Sequence, residues 1–593
     1  MSPVPLRKLQ GRFVSNVLGL AVAVALAQGA QAEALKGSTP LVSQTRTFSE
    51  LVIADGQMLV APPGKQLVLT VNGVDTAIKP GRYTGTVVLT VIDTIPVKYH
   101  DLPEAAFRAG LYINDNRVVP EKSVTSAVVG GRYDGNSAQD IKITSHEDMF
   151  NGVIVTGNSK YTLERPVIEM VGNGGNDFAG WGAAIMATGN ADLTINSPRI
   201  HTKGAVRTAV FVGGHSTVHV NDADIYTESG TLPADYVETL KVGRMKEVPW
   251  QLSLSGNVRA TNLVDNGTVY YTHSHIRSSG WGVLSVDDSA VTRMYVKDSL
   301  IETFDSGYGA YSIGDSIDTF DHSTLNVADY GLIAAGQGSA VFTNGTVVNS
   351  RRFGVMMFDR NGGGQLTLEK GCTFNTRLTG ILVKGRGAVV NLDDAQINAG
   401  NGILLHAMVE DNPRKVEQKL AAERAAHDKS GTRPDAPIVG ERTVNPMGPD
   451  SGPDVVVNLK HAALVGDLLN TRTAEGELKV NLEATRLHGA ISTGTQKPIT
   501  PMPLVRANFW QIGEVTTALG PGPGPHGVAV ALRDGASWTV TRTSYLSSLS
   551  LDSGSKILAP DGHRLTLKVD GTPTPIKPGA HYQGHLILEV ASL

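Results

Sequence analysis

Gly280-Trp281-Gly282-Val283-Leu284-Ser285 recurs as Gly307-Tyr308-Gly309-Ala310-Tyr311-Ser312, then as Asp329-Tyr330-Gly331-Leu332-Ile333-Ala334 and Arg352-Phe353-Gly354-Val355-Met356-Met357. Weaker copies are Leu378-Thr379-Gly380-Ile381-Leu382-Val383 and Gly400-Asn401-Gly402-Ile403-Leu404-Leu405. From Trp281 to Asn401 the spacings are 27, 22, 23, 26 and 22 residues. A self-similar unit of that length is one coil of a solenoid, whose apolar face is buried by stacking on the next coil.

The same register continues on both sides. Earlier coils fall at Asn151-Gly152-Val153, Trp181-Gly182-Ala183, Thr208-Ala209-Val210 and Trp250-Gln251-Leu252; later ones at Gly466-Asp467-Leu468 and Gly489-Ala490-Ile491. A second strand-like piece precedes the phrase, as in Ser274-His275-Ile276, Ser323-Thr324-Leu325, Thr346-Val347-Val348 and Ala395-Gln396-Ile397. Short strands separated by turn residues predict stacked parallel sheets. About twelve coils at the spacing of neighbouring strands make a rod on the order of 55 Å long.

Over residues 105–510 the aromatic-Gly-apolar strand and the Ser/Thr/Asn-x-Ile strand before it resemble the right-handed parallel β-helix of the pectate-lyase-like superfamily. The fold class expected is therefore all-β, a right-handed parallel β-helix solenoid of about twelve coils with small β modules at both ends. That fold carries lyases, hydrolases, epimerases and adhesins, so the resemblance does not choose among them.

The two ends are duplicates. Residues 60–91 and 558–590 share Ile-Lys-Pro-Gly (Ile78 to Gly81, Ile576 to Gly579), followed by Tyr83 or Tyr582 and Gly85 or Gly584. Capping of the open solenoid ends is one role for such modules and ligand binding another. The organisation expected is a signal peptide over 1–32, a β module over 33–100, the solenoid over 105–510, and a homologous β module over 511–593. Two excursions break the coil rhythm, residues 228–248 and 408–453, the second with a helical stretch near Arg414 to Lys429 and a Pro/Gly-rich return. Loops of that length serve as lids or as flexible ornament.

The bulk numbers narrow the function. The chain has 593 residues, 66 of them Gly, and a net charge of −4, which argues against a general nucleic-acid or anionic-membrane binder. The one cysteine, Cys372, excludes an internal disulfide framework, and its repeat position is that of a small core residue. Arg7, Lys8 and Arg12 precede the apolar run Phe13 to Ala27, and Ala30-Gln31-Ala32 fits a cleavage site. A mature chain beginning near Glu33, periplasmic or secreted and without a membrane span, is expected.

The residue after Gly in each phrase (Val283, Ala310, Leu332, Val355, Ile381, Ile403) is apolar and should face inward. Period-two alternation then puts Trp281, Tyr308, Tyr330 and Phe353 inside as an aromatic ladder. The outward columns are unusually apolar: Leu284, Tyr311, Ile333, Met356, Leu382 and Leu404, then Val286, Ile313, Ala335, Phe358, Lys384 and His406. This predicts a covered patch or a binding surface, with the chain after Ala407 as its natural cover. Along its margin run Asp288, Asp315, Arg360, Lys384, Arg386 and His406.

Enzymes of the resembled superfamily place acidic, Lys and Arg side chains on such a face. Here Arg360 and Arg386 would clamp an anionic group, Lys384 or His406 would act as base, and Tyr311 would donate, with Asp315 among the catalytic candidates. Asp288, Met356 and Phe358 would line the substrate site. A solvated charge ladder is the alternative. His273 and His275 form a weak metal pair, since a catalytic site needs three good ligands. No cofactor is required by these residues, and a divalent cation stays open. Two functions follow: an extracytoplasmic lyase or hydrolase acting on a glycan or an anionic or aromatic glycoside under a lid, or a non-catalytic secreted β-helix, adhesin-like or binding. Oligomeric state is not legible.

Overall fold

The computed structural model describes residues 32–99, 105–241, 243–287, 291–359, 364–385, 387–411, 454–499 and 504–593. Three long sheets are built by strands of successive coils pairing in parallel, and past Gln396–Ala399 one of them gives way to a separate four-stranded sheet of Ala463–Val465, Arg486–Gly489, Ser537–Val540 and Lys556–Leu558. The chain is an all-β parallel β-helix. One sheet carries His275–Ser278, Leu300–Thr303, Thr324–Val327, Val347–Ser350, Thr373–Thr376 and Gln396–Ala399, and is called here the groove sheet. A second carries Gly282–Val286, Tyr308–Ile313, Tyr330–Ala335, Phe353–Asp359, Ile381–Gly385 and Ile403–Met408, and is called the covered sheet. The third carries Arg293–Lys297, Ile317–Asp321, Ser339–Thr343 and Gln365–Glu369.

Alternation decides what fills the tube. In the third sheet the pattern half-buried, buried, half-buried repeats along each strand, so every second side chain enters the core. Phe320 and Phe342 stack inside at 4.7 Å, and Phe374 meets Phe342 edge-on at 4.9 Å. Asp318 also points into this interior, between Met294 and Ala340, with neither carboxylate oxygen hydrogen-bonded. Burial pushes its pKa well above the carboxylate range, so it sits there as a neutral acid.

The corner between the third sheet and the groove sheet is made by one left-handed residue per coil: Asp222, His273, Asp298 and His322 have φ of 51°, 49°, 50° and 47°. Asp and His tolerate that conformation better than β-branched residues do.

Both ends carry the same small antiparallel sheet. Its hairpin turns are Asn72-Gly73 (φ 51° and 81°) and Asp570-Gly571 (φ 48° and 83°), matching a two-residue type I′ loop. Tyr83 and Tyr582 reach back to accept from the backbone N–H of Lys79 and Lys577, closing the Lys-Pro-Gly turn. The modules join the solenoid by opposite edges. At the N-terminal end Val74–Thr76 pairs in parallel with Lys142–Ser145. At the C-terminal end Ser544–Leu551 pairs in parallel with Val528–Arg533, so parallel stacking continues past residue 510. The edge left free at the C-terminal end is Thr572-Pro573-Thr574, whose Pro573 stands where Asp75 offers its backbone to the solenoid. A proline there removes the donor a stray strand would need.

Candidate functional site

The recurring glycine explains where the aromatics go. A Cβ on Gly309 would meet Leu325 at 2.9 Å, on Gly331 Val348 at 2.5 Å, and on Gly354 Phe374 at 3.0 Å. All three neighbours are core residues, so each glycine itself faces the tube. The next residue, Ala310, Leu332 or Val355, is also in the core. Two consecutive inward positions break the alternation, and the aromatic before them turns outward. Trp281, Tyr308, Tyr330 and Phe353 are therefore not an internal ladder. They are buried in a second apolar cluster outside the tube, with Ile333, Met356 and Leu382.

That cluster lies on the outer side of the covered sheet, and two distant segments roof it. Val248 and Leu254 belong to it, with Met245 and Leu252 packed against it. From the other end of the sequence come Gly513, whose Cβ position lies 3.1 Å from Leu382 and 3.2 Å from Phe353, and Val515. Arg352 ties the roof down. Its Nη1 donates to the carbonyl and hydroxyl of Ser253 (3.1 and 2.9 Å) and to Asp329 (3.2 Å), while Nη2 donates to the carbonyls of Trp510 and Ile512. Ser253 in turn donates to the Phe509 carbonyl at 3.0 Å.

The residues singled out in the sequence fall into four groups. Lys384 and His406 come together under this roof. Lys384 Nζ bonds Asp411 Oδ1 at 2.6 Å with 1% of its side chain exposed, and Asp411 Oδ2 accepts from the Gly513 N–H at 2.7 Å. Burial pulls the Lys384 pKa down, but Asp411, Tyr330 and Glu410 outweigh it and keep the ammonium above its usual range. His406 Nε2 bonds the Thr471 hydroxyl at 2.8 Å and its Nδ1 has no partner. Burial drives its pKa down to about 4, so it is a neutral imidazole. Met356 is buried in the same cluster, and Tyr311 and Phe358 pack on its margin, Tyr311 with its ring 5.6 Å from that of Tyr308.

Asp315 lies elsewhere. It occupies the turn beyond Ile313, three coils from Lys384, and its carbonyl accepts from Arg293 at 2.6 Å. Asp288, Arg360 and Arg386 lie outside the described residues, as does the excursion from 412 to 453. His273 and His275 diverge because His273 is the left-handed corner residue: it faces Asp298 at 3.5 Å, whereas His275 bonds Glu302 at 2.7 Å. Among the described residues no group of three or more His, Cys, Asp or Glu is placed to hold a metal ion.

Sequence reasoning passed over Arg259. Its side chain is 1% exposed, donates to Asp177 from Nε and Nη2 (3.1 and 2.6 Å), pairs with Asp287, and stacks on Trp281 at 4.2 Å. Two carboxylates and a ring neutralise and fill around it, so it closes the near end of the same roofed face.

It also passed over the groove sheet, which holds an open groove of about 840 Å³. Along its floor the register aligns Glu302, Asn326, Asn349, Asn375 and Asn398, one per coil. The amides form a chain: Asn398 Nδ2 donates to Asn375 Oδ1 (2.8 Å), Asn375 to Asn349 (2.8 Å), Asn349 to Asn326 (2.9 Å), and Asn326 to Glu302 Oε1 (3.2 Å). Phe304, 40% exposed, stands at one end with Arg351 beside it, and Val465 at the other. The signal was in the sequence: an apolar residue followed by Asn, repeating at spacings of 23, 26 and 23 residues.

No family model matches this sequence, and no curated protein matches it. Among the described residues no helix is long and apolar enough to cross a membrane.

Proposed function

We propose that this protein is an extracytoplasmic β-helix that binds a glycan in the open groove over Asn326 to Asn398. The observation that carries the reading is the asparagine chain, with Asn349 and Asn398 exposed and Asn326 and Asn375 half-buried, in a groove that also offers an aromatic ring, Phe304. Asn326, Asn349 and Asn375 each spend one N–H and one lone pair on their neighbours and keep one of each for a ligand, and Asn398 spends one N–H. Hydroxyl groups both donate and accept, so they match that pattern, and sugar rings offer an apolar face to Phe304.

A second reading keeps the enzyme, a lyase or hydrolase working on the covered sheet. Its support is a charged Lys384, held by Asp411, near a neutral His406 whose Nδ1 is free to take a proton. It requires the roof over residues 504–515 to open.

The two are separated by one panel of oligosaccharides, neutral and acidic, scored for binding and for turnover. The groove reading expects Asn349→Ala/Asn375→Ala to lose roughly tenfold in affinity or more, with the melting temperature held. Unchanged binding by that double variant contradicts it. Turnover that His406→Gln abolishes establishes the enzyme instead.

A further inference from the structure

Taking the groove as the binding surface, we infer that its ligand is an uncharged, extended glycan chain lying along the rod axis, one sugar unit per coil. Charge comes first. Of the described residues lining the groove, Glu302 and Arg351 alone are ionic, and they carry opposite signs. Both are engaged: Glu302 accepts from Asn326 (3.2 Å) and pairs with His275 (2.7 Å), and Arg351 donates to the Phe304 carbonyl. An acidic glycan would bring a carboxylate on every unit to a groove whose one lining cation, Arg351, is offset by the nearby Glu302, and desolvating the unpaired charges is unfavourable. An uncharged chain meets no such cost.

Repeat comes next. The five rungs from Glu302 to Asn398 follow one another at the spacing of paired strands, about 4.8 Å. That is close to the rise of one pyranose in an extended chain, so each successive unit can set a hydroxyl against the amide of its own coil. The hydrogen bonds all run toward Glu302, which aligns the amide dipoles and strengthens each free N–H as a donor. A polypeptide strand gains less. It would lie across the middle of a sheet face whose backbone groups are already paired, with no free edge to add to.

Calorimetric titration of the whole protein with linear neutral gluco- and mannooligosaccharides of one to eight units, and with oligouronides of matched length, tests this. Affinity should climb with each unit to about five and then level off, with oligouronides at least tenfold weaker. Asn398→Ala, which removes the last rung, should move the plateau down by one unit while the melting temperature holds. A neutral ligand whose affinity is independent of chain length overturns the one-unit-per-coil arrangement. Preference for the oligouronide overturns the charge assignment, and a plateau unmoved by Asn398→Ala overturns the register. Failure of every oligosaccharide to bind, or capture of an extended peptide in their place, overturns the glycan reading beneath it.

Discussion

The covered sheet and the groove sheet belong to the same coils, and their outward columns meet opposite fates. On the covered sheet the column is Tyr311, Ile333, Met356, Leu382 and His406. Burying side chains such as Ile333, Met356 and Leu382 is worth roughly 1.5–3 kcal/mol each, enough to hold residues 245–254 and 504–515 down as a roof. On the groove sheet the column is asparagine, which satisfies half of its own hydrogen-bonding capacity by stacking and leaves the rest to water. The apolar column therefore recruits chain to cover it, while the amide column stays open. A row of repeated residues on a solenoid announces a site only when it does not need to be hidden.

The largest test of this contrast is Asp411→Ala. It strands the Lys384 ammonium in the roofed cluster, and stability should fall by about 3–5 kcal/mol, read by denaturant unfolding. Asp411→Ala/Lys384→Met should recover most of it, because a volume-matched apolar side chain suits that cluster. A stability loss below about 1 kcal/mol in the single variant would mean that the roof is not seated as described.

A smaller effect comes from His406. Its pKa is about 4 folded against an ordinary 6.5, so between those values the unfolded chain binds a proton that the folded chain refuses. Stability should therefore be full above pH 6.5 and decline as pH falls toward 4, by about 3 kcal/mol at most. His406→Gln should flatten that part of the pH profile. An unchanged slope would place His406 in contact with water.

The fold was legible because the Tyr308, Tyr330 and Phe353 phrases repeat at a length that fits one purpose. The orientation of those aromatics was not, since Gly309, Gly331 and Gly354 face inward together with the residue that follows, and simple period two skips that step. The roof was not legible either. Ser253 and Phe509 meet across 256 residues of sequence, and no local pattern marks such a contact. Lys384 and His406 were found from their columns, but their burial depends on that same roof and on Asp411. The asparagine column was written as plainly as the aromatic one. It was passed over because an isolated Asn reads as a turn residue until the register lines four of them up.

The most direct test of the account is to solve the structure of the protein soaked or co-crystallised with a neutral oligosaccharide of five units. Density for the sugar chain should lie along Asn326, Asn349, Asn375 and Asn398 with one end against Phe304. Density instead beneath residues 504–515, against Lys384 and His406, would contradict it and return the function to the covered sheet.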